Sequence, residues 1–120
     1  MKRVAIPVNN GRLSEYFGKC SYYKVFEIEE NSIHEKEYEL PVVDNPDELP
    51  AWAFENGITD IIAYRIDRQI IMLFHKYKIN LFVGVDMDTP EQLINDFLKE
   101  RITSSHRIIA EIMDNNFTKA

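Results

Sequence analysis

Cysteine, histidine and glycine are scarce in this 120-residue chain, which has one cysteine, three histidines and four glycines. The single cysteine, Cys20, cannot form a disulfide within the chain, and this agrees with a reducing compartment. His34, His75 and His106 lie far apart, and none has a second histidine or cysteine at the spacing that metal ligands usually show. A metal site built from the histidines alone is therefore not expected.

Long hydrophobic runs and an excess of positive charge are also missing. No run approaches the roughly 18 apolar residues of a membrane-spanning helix, and the start MKRVAIPV turns polar too soon for a signal peptide. The 14 basic and 20 acidic residues give a net charge of -6. Nucleic-acid binding draws on a basic face, so this balance argues against a nucleic-acid partner. We expect a cytoplasmic protein that binds neither nucleic acid nor membrane.

Apolar runs separated by polar turns predict three strands in the first part of the chain. Residues 3–8 form a buried strand that stops at the turn Asn9-Asn10-Gly11. Residues 21–29 and 33–40 are two further β-rich runs with a short polar break, which predicts a hairpin. The lysines and glutamates of the last run suit an exposed edge of a sheet.

The rest of the chain alternates between strand and helix patterns. Apolar runs at 60–66 and 80–85 flank residues 67–78, whose apolar side chains recur at helical spacing. This order forms a βαβ unit, so its two strands are predicted to be parallel. Further helices are predicted over 49–56, 89–102 and 104–114. The chain is thus predicted to be a single α/β domain on a mixed five-stranded sheet, with three antiparallel strands and then the βαβ unit, flanked by helices.

Two of the predicted helices begin with capping residues. Asp67 stands where the N-cap of the helix over 67–78 would be. Thr89, followed by Pro90 and Gln92, has the pattern of a capping box, in which the Thr and Gln side chains each bond the other residue's backbone N–H.

Three segments, in their order along the chain, resemble a known family. They are Ala5-Ile6-Pro7-Val8, the stretch YFGKCSYY from Tyr16 to Tyr23, and the stretch from Leu49 to Ala63 in register with the strand that follows. Over residues 1–102 the chain resembles the dinitrogenase iron-molybdenum cofactor biosynthesis domain family, whose members carry or assemble metal-sulfur cofactors. The resemblance implies a ribonuclease H-like motif fold, with strands 1, 2 and 3 antiparallel and strands 4 and 5 joining beside strand 1. Residues 103–120 are then a C-terminal helical extension of the same domain.

The chain departs from the family pattern at two places. After strand 4 the family typically has a Gly-Gly-x-Gly turn, where this chain has Tyr64-Arg65-Ile66-Asp67. Glycines let a backbone come close to a ligand, whereas tyrosine and arginine fill that room. The family also often has histidine before Phe-Gly and in the connector before the first helix, but here Tyr16 precedes Phe17 and the connector has no histidine.

Cys20 has two interpretations. As a thiolate, favoured by the nearby charges of Lys19 and Lys24, it would be a metal ligand or a nucleophile. As a small apolar residue behind a tight turn it would be buried, and free cysteine is among the most buried residue types. A single cysteine without an adjacent histidine favours the packing interpretation.

The carboxyl ends of strands 1 and 4 are predicted to form an anion-binding crevice. In an open α/β sheet, ligands favour the place where the chain order reverses, and the family topology puts that place between these two strands. The candidate ligand-binding residues follow the strands or lie on the adjoining loop: Asn9, Asn10, Arg12, Lys19, Cys20, Arg65 and Arg68. The alternative is that these charges are solvated, some of them paired with Asp67 or Glu15.

Three hypotheses about function follow. The first is a small non-catalytic accessory domain that binds an anionic iron-sulfur or iron-molybdenum type cluster, or another small anion, with Cys20 as its only metal ligand. The second is a degenerate member that has lost the cofactor and binds a protein partner or a second copy of itself, through residues 103–120 or through the sheet edge. The third is an enzyme that uses the Cys20 thiol or the aspartates, but it lacks a base and a paired metal site.

Overall fold

The computed structural model of this chain describes residues 1–30, 32–39 and 46–118. The described residues form the strands β1 (Lys2–Asn9), β2 (Arg12–Leu13), β3 (Tyr22–Glu29), β4 (Ser32–Glu39), β5 (Asp60–Ile62) and β6 (Asn80–Phe82). The α-helices are α1 (Leu49–Glu55), which follows a short 3-10 turn at Pro46–Glu48, then α2 (Arg68–Lys76), α3 (Pro90–Leu98) and α4 (His106–Thr118). None of the helices in this part of the chain has the length and apolar character that crossing a membrane requires.

The strands form one mixed sheet with the order β4-β3-β1-β5-β6, and β2 pairs beside β1. β3 is antiparallel to both β1 and β4, whereas β5 is parallel to both β1 and β6. This confirms the predicted α/β domain, its three antiparallel strands, its βαβ unit and the strand order that the family resemblance implied. The sheet that the described residues form has six strands, whereas five were predicted. The sequence missed β2, because its two residues are too few to show a periodic pattern.

The two strands of the βαβ unit are shorter than predicted. The apolar runs cover 60–66 and 80–85, but the strands end at Ile62 and Phe82. The runs continue past the strands because residues such as Val83 are still buried in the core. Residue 40, the predicted end of the third strand, and residues 119–120 of the predicted extension lie outside the described residues.

The sheet carries an apolar core on each of its faces. In β1 the side chains of Val4 and Ile6 pack in a cluster with α3, whereas Ala5 packs in a second cluster with α1, α2 and α4. In β3 Phe26 belongs to the first cluster and Val25 to the second. This alternation follows from the two-residue repeat of a strand, and it leaves both faces covered by helices.

The C-terminal helix α4 packs on its own domain. Ile108 and Ile112 are buried in the cluster that contains α1 and α2. Before the helix, Ser105 N donates to Val83 O at 2.8 Å, and Val83 N donates to Ser104 Oγ at 3.0 Å. The chain therefore runs beside the end of β6 before it enters α4. The division into a domain of residues 1–102 and an extension stays a prediction.

Candidate functional site

The loop between β2 and β3 lies against the chain that leaves β5. Phe17 N donates to Arg65 O at 2.8 Å, and Tyr16 forms an isolated parallel bridge with Arg65. Within the loop, Lys19 N donates to Tyr16 O at 3.2 Å. Gly18 closes this turn with a φ of 91°, a left-handed conformation that favours glycine. The turn therefore holds Tyr16 and Lys19 beside the residue that follows β5.

Two cations rest on aromatic rings at this end of β5. The Lys19 ammonium lies 5.7 Å from the centre of the Tyr16 ring, and the Arg65 guanidinium lies 5.5 Å from the centre of the Tyr64 ring. Cation–π contacts of this kind attract a positive charge to the face of the ring. We call Tyr16, Lys19, Tyr64 and Arg65 the β5-end cluster.

Arg65 is held by a carboxylate from α4. Its Nη2 lies 2.9 Å from Oε2 of Glu111, and the Arg65 side chain is 24% exposed. On the other side of the same carboxylate, Arg107 Nη1 lies 3.4 Å from Oε1. The hydrogen bond that Arg65 donates to Glu111 raises the pKa of the guanidinium, so its charge is permanent. One carboxylate thus bridges two guanidinium groups, and a net positive charge remains.

Cys20 lies in the core and not on the surface of the crevice. The residue is 6% exposed and belongs to the apolar cluster that contains Phe17 and Tyr23. Burial raises the pKa of the thiol, which is therefore protonated at neutral pH, whereas a metal ligand must be a thiolate. These observations favour the packing interpretation. The role of Cys20 as a metal ligand stays a prediction.

The hydroxyl of Tyr23 is buried beside this thiol. Among the described residues, Tyr23 Oη has no hydrogen-bond partner of good geometry, although Cys20 lies close enough to influence it. Burial, together with the nearby Cys20, raises the pKa of the phenol. Both groups are therefore neutral in the folded protein, and neither adds charge to the crevice.

The other predicted site residues lie in two further places. Asn9, Asn10 and Arg12 form the exposed tip of the turn between β1 and β2, where Asn9 pairs with Arg12 and Asn10 has a φ of 54°. In the described part of the chain, no hydrogen bond or ion pair joins this tip to Lys19 or Arg65. The structure thus connects Lys19 and Arg65 through Tyr16, which forms a bridge with Arg65 and accepts a hydrogen bond from Lys19 N. The tip is a separate group at the same end of the sheet.

Arg68 is exposed at the first position of α2. It lines an open pocket of about 690 Å³ together with Met72 and Lys76. Asp67, a predicted partner of these charges, occupies the N-cap position, but its side chain makes no capping hydrogen bond. Arg65 has its carboxylate partner in Glu111. The alternative that some of the candidate charges pair with Asp67 or Glu15 stays a prediction.

Glu111 and Arg107 are site residues that the sequence did not indicate. Their spacing of four on a helix is a recognised pattern for an ion pair and could have been noticed. The contact of Glu111 with Arg65 spans 46 positions in the chain. Only the packing of α4 on the sheet brings these two side chains together.

The described residues contain no group of three or more histidine, cysteine, aspartate or glutamate side chains that could hold a metal ion. His34 on β4 and His75 on α2 are exposed and lie on different elements. The β5-end cluster instead offers permanent cations and N–H donors, which is the chemistry that holds an anion.

The family of the chain can be assigned from its sequence. The profile of the family described as dinitrogenase iron-molybdenum cofactor matches residues 1–100. The chain belongs to this family. The resemblance carried by the YFGKCSYY stretch and its neighbours is thereby confirmed, and α4 lies beyond the matched residues.

Solved structures share the fold. PH0822 superimposes with a TM-score of 0.76 at 25% identity, over 87% of this chain and 96% of that one. The apo form of the orange protein from Desulfovibrio gigas superimposes with a TM-score of 0.73, over 88% of this chain and 94% of that one. Its identity is 11%, so this second likeness concerns the fold alone.

A curated relative matches a shorter stretch. The uncharacterized protein MJ0580 of Methanocaldococcus jannaschii is 40% identical over 37 residues. This match covers 31% of the present chain and 31% of that protein, so the chain spans about a third of the relative's length. The relative therefore adds a local similarity to the family assignment.

Proposed function

We propose that this chain is a non-catalytic accessory domain that binds an anionic metal-sulfur cofactor, of the iron-sulfur or iron-molybdenum type, at the β5-end cluster. Membership of the family supports a role connected with such a cofactor. The observation that best supports this site is the ion pair of Arg65. Its partly buried guanidinium, at the carboxyl end of β5, already binds a carboxylate. A guanidinium that binds one carboxylate by a charge-assisted hydrogen bond is suited to binding another anion of similar charge.

The proposed ligand is held by charge and by hydrogen bonds. Arg65 presents several N–H donors in one plane, and the exposed ammonium of Lys19 adds a second cation. The rings of Tyr16 and Tyr64 limit the movement of both cations. The metal-sulfur cofactor is what such a domain carries, so we assign no chemical step to the protein.

The remaining candidate residues extend this surface. β1 and β5 are parallel, so Asn9, Asn10 and Arg12 lie at the sheet edge from which Arg65 projects, and Arg68 begins the helix that follows. Cys20 is retained as a predicted metal ligand. We propose that the protein acts in the cytoplasm without a nucleic-acid or membrane partner, in keeping with its net charge of -6.

Titration with tetrathiomolybdate, a dianion of molybdenum and sulfur, tests the site. We expect the wild type to bind it, and Arg65→Gln to bind it at least about tenfold more weakly, because a hydrogen bond from a charged donor contributes about 1.5–3 kcal/mol. Lys99→Gln removes the same charge at the end of α3, on the other face of the sheet, and should bind like the wild type. Circular dichroism confirms that each variant is folded.

Each outcome of this titration bears on a different statement. Equal affinities of Arg65→Gln and the wild type would exclude the β5-end cluster as the site. If neither the wild type nor any variant binds tetrathiomolybdate, the proposed function is contradicted. The same titration on Cys20→Ala, followed by reconstitution with iron and sulfide, shows whether the thiol is a ligand, because a ligand's loss removes the absorption of the bound cluster.

A protein-interaction module is the second candidate, and the edge of the sheet favours it. β4 is an edge strand of the sheet, and Ile33 on this strand is 46% exposed. An exposed strand edge with an apolar side chain can pair with another chain. Sedimentation at increasing concentration decides whether a second copy is that partner, since a monomer throughout would exclude it.

A further inference from the structure

The carboxylate of Glu111 occupies the guanidinium that the proposed anion would use. Its Oε2 lies 2.9 Å from Arg65 Nη2. Glu111 belongs to α4, which lies beyond the residues that the family profile matches. This chain therefore brings a negative charge to the β5-end cluster from a helix that the family profile does not cover.

The position of α4 is set by packing and does not depend on this ion pair. A Cβ added to Gly84 would lie 2.7 Å from Ser105 Cβ and 2.8 Å from Ile108 Cβ, so the start of the helix rests directly on the backbone after β6. Ile108 and Ile112 are buried. The helix can therefore stay in place while the Glu111 side chain turns away from Arg65.

We propose that Glu111 is a built-in competitor for the anion that Arg65 binds, and that the ligand enters by taking the place of this carboxylate. The proposal rests on the anion site proposed above and adds its regulation. While Arg65 is paired with Glu111, fewer of its N–H donors are available to a ligand. The observed affinity is then the intrinsic affinity multiplied by the fraction of molecules in which Arg65 is unpaired.

Arg107 provides the displaced carboxylate with another partner. It lies one helical turn before Glu111, is largely exposed, and its Nη1 is already 3.4 Å from Oε1. Glu111 can therefore leave Arg65 without becoming an unpaired charge. Since the pair with Arg65 is only partly shielded from water, an anion with more than one negative charge can displace a single carboxylate. The expected ligand class is thus the multiply charged anion, and singly charged anions are disfavoured.

Removing the competing charge while keeping its shape tests the proposal. In titrations of the full chain with tetrathiomolybdate, we expect Glu111→Gln to bind about threefold to tenfold more tightly than the wild type, because no ion pair must first be broken. Glu91→Gln makes the same change of charge on α3, on the opposite face of the sheet. This control should bind within about twofold of the wild type.

The outcomes separate this proposal from the one on which it rests. Equal or weaker binding by Glu111→Gln would overturn the competitor role. Equal strengthening by Glu111→Gln and Glu91→Gln would also overturn it, because net charge would then be the cause. Weak binding by Arg65→Gln with no change in Glu111→Gln would leave the anion site standing without a competitor. Absence of binding to the wild type and to Glu111→Gln would overturn both proposals.

Discussion

Cys20 and Arg65 show how the surroundings of a side chain decide its chemistry. Cys20 carries a group that binds metals well as a thiolate, but burial in an apolar cluster keeps it neutral. Arg65 cannot lose its charge, and the carboxylate of Glu111 raises its pKa further. At the scale of single residues, the permanent charge of Arg65 is therefore the stronger basis for a binding site.

Alkaline pH should destabilise the folded protein through Cys20. The unfolded thiol ionises near its ordinary pKa of 9.0, whereas burial raises the pKa in the folded state. The stability that this thiol contributes is therefore complete below the unfolded pKa and is lost as the pH rises toward the folded one. The loss is at most about 1.4 kcal/mol per pH unit, and Tyr23, whose pKa is also raised, acts in the same direction above its ordinary value of 10.0.

Urea unfolding at about pH 8 and about pH 10 measures this effect. The control is Cys20→Ala, which lacks the thiol and should show a smaller fall in the free energy of unfolding over the same interval. The same fall in both proteins would show that other groups cause the alkaline loss.

At the scale of elements, helix starts and helix docking have different causes. Thr89 Oγ1 accepts from Gln92 N at 3.2 Å, as its capping pattern predicted. The return bond from the Gln92 side chain is absent, because Thr89 N is already bonded to Asp88 Oδ1 at 2.8 Å and Gln92 Nε2 donates to Asp96. Local sequence thus decides where α3 begins. The docking of α4 depends instead on a distant residue, Gly84.

Gly84→Ala should weaken the docking of α4. The new Cβ would meet Ser105 and Ile108 at less than 3.0 Å, and the φ of +79° is strained for alanine. Gly11→Ala is a matched control, because its φ is +77° and nothing lies within 4 Å of the added Cβ. We expect Gly11→Ala to lower the free energy of unfolding by about 1–2 kcal/mol, from backbone strain alone. Gly84→Ala should lower it by about 1–3 kcal/mol more, because of the contacts of its Cβ.

Thermal and urea unfolding of the two variants give the comparison. Hydrogen exchange should also be faster in α4 of Gly84→Ala than in α4 of Gly11→Ala. Equal losses of unfolding free energy in the two variants would mean that the start of α4 adjusts to the added Cβ without destabilising the protein.

At the scale of the whole molecule, the question is whether the family domain folds without α4. The family profile ends at residue 100, yet Ile108 and Ile112 are buried with residues of α1, α2 and the sheet. The segment before the helix also bonds the backbone of Val83. The extension is thus part of the core that covers one face of the sheet.

A chain ending at residue 102 should be less stable than the full chain. Burial of each isoleucine contributes about 1.5–3 kcal/mol, so we expect removal of α4 to cost at least about 3 kcal/mol in the free energy of unfolding. Urea unfolding of the shortened chain measures this loss, and Glu111→Gln in the full chain serves as a control for the missing charge alone. A shortened chain as stable as the full one would show that α4 is an appendage and that residues 1–102 are an independent domain.

The sequence by itself determined the class of fold and most of its elements. Alternation in 21–29 and helical spacing in 67–78 are local patterns, and each follows from the repeat of a strand or a helix. The motif around Phe17 and Gly18 led to the family. The sequence did not predict β2, because two residues are too few to show a periodic pattern. It also missed the true ends of β5 and β6, because buried apolar residues continue beyond the hydrogen-bonded strands.

Only the tertiary structure decided the character of the candidate site. The sequence marked Arg65 and Lys19 as neighbours of a crevice and favoured packing for Cys20, which the structure places in the core. It did not show that Glu111 faces Arg65. Burial and charge pairing depend on residues far apart in the chain, in this case 46 positions for Arg65 and Glu111. Such contacts have no periodic trace in sequence, because they arise only when separate elements pack against one another.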